Sequence, residues 1–170
     1  EHLPGHNSSY KRSVLIDYGS RLETMLEAES VLHWDLNKRG YELYLEPRAK
    51  ISHLNFGTLS SWLPAQFHSG RIFASIRSRN WSRAKRLFYT CSAPLIPAIR
   101  LYRILRQSYR LQSDLRPGIL PVLILGLTVS ALGEMLGYAS GEGESKKALT
   151  HLEFHRIRHI GRRIKVPITL

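Results

Sequence analysis

A single cysteine, Cys91, stands among 170 residues, so no internal disulfide can form and a disulfide-stapled scaffold is excluded. Twelve glycines and eight prolines are too few for a collagen-like or mucin-like chain. Aromatic residues are also scarce at 9%, but 43% of the chain is apolar, enough for one domain with a modest core or for part of a larger one. The chain opens Glu1-His2-Leu3-Pro4-Gly5, without a start methionine or a signal peptide, and a piece of a longer protein is expected. No Gly-rich phosphate loop, no Ser/His/Asp series and no recognised RNA-binding signature occurs. Cys91 has no partner that would make it a nucleophile and is expected as a small buried residue.

Charge is present in excess and unevenly placed. The formal net charge is +12. Residues 1–70 are close to neutral, with seven Lys/Arg and eight Asp/Glu. Residues 71–116 carry eleven basic residues against Asp114 alone. Residues 117–145 have no Lys or Arg and three glutamates, and residues 146–170 carry seven basic residues against Glu153. Such a belt attracts polyanions, and both anionic lipid and nucleic acid qualify.

Between the basic zones, residues 118–141 form a 24-residue stretch whose one charge is Glu134. A spanning helix needs roughly 20 apolar residues. Basic flanks on both sides disfavour a single span, and Glu134 is costly deep in a bilayer. A segment that re-enters or folds back near Pro121 or Gly126 keeps both flanks on one side. In residues 86–106, Leu87, Phe88, Leu95, Ile96, Ile99, Leu101, Tyr102, Ile104 and Leu105 alternate with Arg86, Arg100, Arg103 and Arg106. That composition suits a helix in the headgroup plane, interrupted by Pro94 and Pro97. Trp62, Phe67, Phe73, Trp81, Phe88 and Tyr89 interleave with arginines, a pattern that stacks nucleic-acid bases or lines a membrane surface. His151, His155 and His159 recur every four residues, so a helix stacks them; Arg156 and Arg158 disfavour a metal there, and a basic interfacial helix is expected.

In the front part, Ser20 is positioned as an N-cap with Glu23 three residues on. A helix is predicted from there to Arg39, ended by Gly40. Its apolar stripe is Leu22, Met25, Leu26, Leu32 and Leu36, with Glu29 in line where a leucine is expected. A carboxylate so placed is either accommodated by snorkelling or held as an acid/base group. Tyr41–Glu46 alternates like a strand, Pro47 ends it, and residues 49–53 read as a second short strand.

Three segments in order resemble the acceptor-side half of family-2 glycosyltransferases, which have the GT-A fold. Pro4-Gly5-His6-Asn7-Ser8-Ser9-Tyr10-Lys11-Arg12 is similar to the family's Gly-x-Asn…Arg-Arg segment. Ala28-Glu29-Ser30-Val31-Leu32-His33-Trp34-Asp35-Leu36-Asn37-Lys38-Arg39-Gly40-Tyr41 is similar to its Glu-Asp-x-x-Leu-x-x-Arg-Leu-x-x-x-Gly-Tyr helix. Pro47-Arg48-Ala49-Lys50-Ile51-Ser52-His53 is similar to the strand ending Pro-x-Ala-x-x-x-His. The likeness covers residues 1–53; beyond them it is only the loose likeness of a basic, membrane-associated tail.

The resemblance implies an α/β fragment, the C-terminal part of a GT-A domain, followed by a mostly helical, basic, membrane-associated region. The regions are 1–60 for the catalytic part, 61–116 for basic amphipathic helices, 117–141 for the apolar membrane-associated segment and 142–170 for a basic tail. It implies an inverting transfer of sugar from a nucleotide-sugar to a hydroxyl of a lipid-linked or cell-envelope polysaccharide acceptor, at the cytoplasmic face of the membrane. Register puts Glu29 at the general base, with Ala28 in place of the family's paired Glu, and Asp35 where the family prefers Arg. Asn7, Lys11, Arg12 and His53 fall on the substrate-lining positions. Gln66-Phe67-His68-Ser69-Gly70-Arg71 approaches but does not match the Gln-x-x-Arg-Trp motif of processive members. The family's Asp-x-Asp triplet, which holds Mg²⁺ or Mn²⁺ on the donor diphosphate, is absent: Asp17, Asp35 and Asp114 stand apart. The chain alone is therefore expected to be inactive. The competing readings are a non-enzymatic basic membrane adaptor or anchor and, less favoured, a nucleic-acid-binding module; nucleic acid is not expected as the partner.

Overall fold

The computed structural model describes residues 8–49, 55–110 and 118–160. The chain divides into two compact units, residues 1–53 and 54–170.

Among its described residues the first unit holds three short helices: α1 (Arg12–Ile16), α2 (Leu22–Glu27) and α3 (Glu29–Lys38). A single 3₁₀ turn, Gly19–Arg21, joins the first two. Its core is Tyr18, Leu32 and Leu36, with Tyr10, Val14, Leu15, Leu22, Met25 and Leu43 packed around them. The one long helix expected from Ser20 is instead two, broken at Ala28, whose φ of −134° and ψ of 71° leave the helical region. Ser20 lies inside the 3₁₀ turn and caps nothing. Gly40 does end α3, with a φ of +85° that glycine adopts without a Cβ penalty.

The expected α/β architecture is not found: the described residues are all-α, with no strand among them. The segment 41–46 has irregular backbone, and Tyr44 and Leu45 are both largely exposed, so its alternation does not separate a buried face from a wet one. A strand must have its N–H and C=O groups bonded by a neighbour, and no second strand is present among the described residues to supply them. Of the second expected strand only Ala49 is described, and it is irregular too.

The second unit is a helical bundle: α4 (Leu59–Arg77), α5 (Arg83–Ser92), α6 (Ile96–Arg110), α7 (Ile119–Ser140) and α8 (Ser145–Phe154). Helices α4 and α7 form its spine. Gly126 meets the Trp62 ring, Gly133 the backbone of Phe67, and Gly137 the backbone of Arg71, so the two helices run parallel. Gly70 returns the contact against the Ser130 carbonyl. Small residues on both faces let the backbones approach closely. α7 is continuous: Pro121 sits in its first turn, where the missing N–H has no intrahelical acceptor anyway, and neither Pro121 nor Gly126 folds it back as a hairpin. The prolines at 94 and 97 do interrupt the amphipathic stretch, through a 3₁₀ turn over Ala93–Leu95 that separates α5 from α6. Arg86 Nε donates to the Tyr138 carbonyl at 2.8 Å, while Arg100 reaches Ser130 and Glu134, so α6 descends antiparallel to α7.

Candidate functional site

In the first unit a cleft of about 730 Å³ opens beside α3. Ser8, Ser9, Tyr10 and Lys11 line it from the first of the three motif segments, His33, Leu36, Gly40 and Tyr41 from the second, and Ala49 from the third. Glu42, Tyr44 and Glu46 complete its polar and aromatic wall. The Tyr10 hydroxyl and His33 Nε2 are hydrogen-bonded at 2.8 Å, which ties the first segment to α3. His33 is 1% exposed and its ring stands 6.0 Å from that of Tyr10. Sequence reasoning missed His33. Its signal was its place one turn beyond Glu29 and next to Leu32 on the buried side of the helix.

Of the expected site residues that are described, Lys11 lines the cleft, while Arg12 and Glu29 do not. Arg12 opens α1 and is exposed. Glu29 is the first residue of α3 and half-buried. It stays in line with Leu32 and Leu36, but the break at Ala28 makes it the first turn of α3 rather than a mid-helix position, and there the positive end of the helix dipole favours a carboxylate. It lies four residues before His33, on the same face of α3. Asn7 and His53 lie outside the described residues. Asp35 has local partners of its own: its Oδ2 accepts from the Tyr18 hydroxyl at 2.7 Å and pairs with Arg39 Nε at 2.8 Å. The Arg39 guanidinium also lies 4.3 Å from the Tyr18 ring centre. Burial, and then the bond to Asp35, push the Tyr18 phenol up to about 12.

The Mg²⁺ or Mn²⁺ implied by the resemblance finds no matching donor set: among the described residues no group of three or more His, Cys, Asp or Glu could hold a metal. The histidine series is not one helical stack. α8 ends at Phe154, so His151 and His155 pair with ring centres 4.6 Å apart, while His159 sits in a following 3₁₀ turn and its Nδ1 bonds Ser61 Oγ at 2.8 Å.

The second unit carries a polar network on its apolar helix. Glu134 is 2% exposed, and Arg100 Nη2 stands 2.7 Å from its Oε1, without the alignment of a hydrogen bond. Arg77 donates to the Tyr138 hydroxyl at 3.1 Å, and the fully buried Tyr138 ring stacks on Trp81. Burial raises the Glu134 carboxyl above its ordinary value, and Arg100 opposes that shift only in part. The Gln66–Arg71 stretch is structural here: His68 Nδ1 bonds Ser145 Oγ at 3.0 Å and Arg71 Nε donates to the Gly141 carbonyl at 2.8 Å. Cys91, expected inside, is exposed on α5.

No protein-family model, no curated protein and no solved structure matches this chain. The family-2 likeness therefore stands on the three motif segments alone.

Proposed function

We propose that this chain is the acceptor-side, membrane-attached portion of a glycosyltransferase that moves a sugar from a nucleotide-sugar to a hydroxyl acceptor with inversion. The observation that carries the reading is the cleft. Three segments chosen by their order and spacing in the sequence line one concavity, and two of them are joined there by Tyr10 and His33. The reading rests on that convergence and not on the GT-A sheet, which the described residues lack; the third segment reaches the cleft through Ala49. Tyrosine rings offer the C–H faces of a pyranose a flat surface, and Lys11, Glu42 and Glu46 offer hydrogen bonds to its hydroxyls, a mixture suited to a sugar site. The family register, not the cleft's lining, assigns the general base to Glu29, one helical turn before the cleft-lining His33: it takes the acceptor hydroxyl proton as the oxygen bonds to the anomeric carbon and the nucleoside diphosphate leaves.

Two measurements test this. Titrating the chain with saccharide acceptors shifts the NMR signals of Tyr10, Tyr41 and Tyr44; unmoved signals across a broad saccharide panel refute the cleft as an acceptor site. In a polypeptide that joins this chain to a nucleotide-sugar-binding portion, Glu29→Gln lowers transfer by about 10²–10⁴-fold with donor affinity unchanged. Undiminished transfer removes the role assigned to Glu29 and favours the anchor reading.

A further inference from the structure

The outer surface of α5 and α6 carries apolar and basic rows that are exposed among the described residues. On α6, Ile99, Tyr102, Leu105 and Tyr109 are exposed at spacings of three, three and four residues. On α5, Leu87 and Phe88 are likewise exposed, at 64% and 66%, on a helix whose Arg86 is turned to α7. Beside the apolar row on α6 run Arg103, Arg106 and Arg110, all exposed. The inner face is already committed, since Arg100 pairs with Glu134 and Arg86 with the end of α7.

No carboxylate occurs anywhere between Glu46 and Asp114, so the helices that bear these arginines contain nothing to neutralise them. An occupant of this surface must supply anions and an apolar phase side by side, with the boundary between them parallel to α6. A nucleic-acid backbone supplies the first without burying Leu87, Phe88 and Leu105. An anionic bilayer supplies both, with phosphates at the arginine row and acyl chains beneath the apolar row.

We propose that the outer face of α5 and α6 is a docking surface for an anionic lipid bilayer, with both helices lying in the headgroup plane. Because α6 descends along α7, this orientation lays α7 beside the membrane rather than across it. A transverse α7 would carry Arg103, Arg106 and Arg110 into hydrocarbon with no acidic partner on their own helix. The inference does not require the transferase reading, and its test contains no sugar.

The full chain is floated with vesicles of phosphatidylcholine alone and of phosphatidylcholine with phosphatidylglycerol. It binds the anionic vesicles alone, and less as salt is raised. Replacing Arg103, Arg106 and Arg110 together by glutamine lowers that affinity about a hundredfold. The double change Phe88→Ser with Leu105→Ser lowers it about tenfold or more. All five positions are exposed, so helicity by circular dichroism stays at the parent level. Should a variant lose helicity, Tyr109→Trp in the otherwise unchanged chain decides: the emission it adds to that of the parent shifts to the blue with anionic vesicles and is quenched by lipids brominated near the headgroup. Failure to bind either vesicle, equal binding to both, variants that bind like the parent, or an unshifted added emission from Tyr109→Trp overturns the proposal. Binding to RNA or to an acidic helical peptide in place of vesicles overturns it in favour of that partner.

Discussion

Glu134 shows how one side chain changes meaning once its neighbours are known. In sequence it is the blemish in an apolar run; in the fold it is 2% exposed against Arg100 on the adjacent helix. Because burial raises its folded-state pKa, the folded protein holds this proton more tightly than the unfolded chain does. The resulting stabilisation is complete below the ordinary value of 4.5 and is lost as pH rises through the elevated folded value. Glu134→Gln is expected to remove that decline, read as the parent-minus-variant difference in unfolding free energy between about pH 4 and 8. The difference matters because His68, lowered by burial and by Arg71, contributes with the opposite sign: its share is present above its ordinary value and lost as pH falls through the folded one. Arg100→Ala leaves the carboxylate buried without its cation and costs about 2–3 kcal/mol in a denaturant titration, short of a fully buried pair because Arg100 is 36% exposed. Glu29 marks the limit of residue-level reading. Its type and spacing were legible, but its place at the start of α3 followed from the break at Ala28, where no glycine or proline warns of one.

Among elements, α4 and α7 depend on what their glycines lack. A Cβ added at Gly133 meets the Phe67 carbonyl, and one at Gly137 meets the Arg71 carbonyl and the Ala74 methyl. On an exposed helix Gly→Ala gains stability. Here Gly133→Ala is expected to cost about 1–3 kcal/mol, because backbone rather than a movable side chain must give way. A thermal melt of that variant beside the parent checks this: an unchanged or raised transition would show that the Phe67 contact yields freely. The interruption at Pro94 and Pro97 was readable because proline acts through its own ring and missing N–H. The strand expected over 41–46 was not, because alternation records only which side chains differ, while a ladder requires a partner in space.

The whole molecule is two units with separate cores, Tyr18, Leu32 and Leu36 in one and the α4–α7 contact in the other. Removing residues 1–53 is therefore expected to leave the melting transition of the helical bundle within a few degrees of its value in the whole chain. Circular dichroism of the two proteins decides this, and a shortened chain without a cooperative transition would show that the bundle depends on the front unit. The two units meet at residues 53–54, at the start of a stretch, residues 51–70, that carries no Asp, Glu, Lys or Arg.

The sequence by itself determined the properties that reside in single residues or in short spacing. These are the basic belt, the apolar segment that becomes α7, the proline interruption, the glycine stop after α3 and the order of three motif segments. Each is local, so each can be read without knowing what lies across from it. Tertiary structure alone decided the all-α architecture, the pairing of Glu134 with Arg100, the hydrogen bond between Tyr10 and His33, and the gathering of three segments around one cleft. These depend on approach between residues of different elements, 23 positions apart for Tyr10 and His33 and 34 for Arg100 and Glu134. Such approach is set by the packing of whole helices, glycine face on glycine face and arginine onto the end of a neighbouring helix.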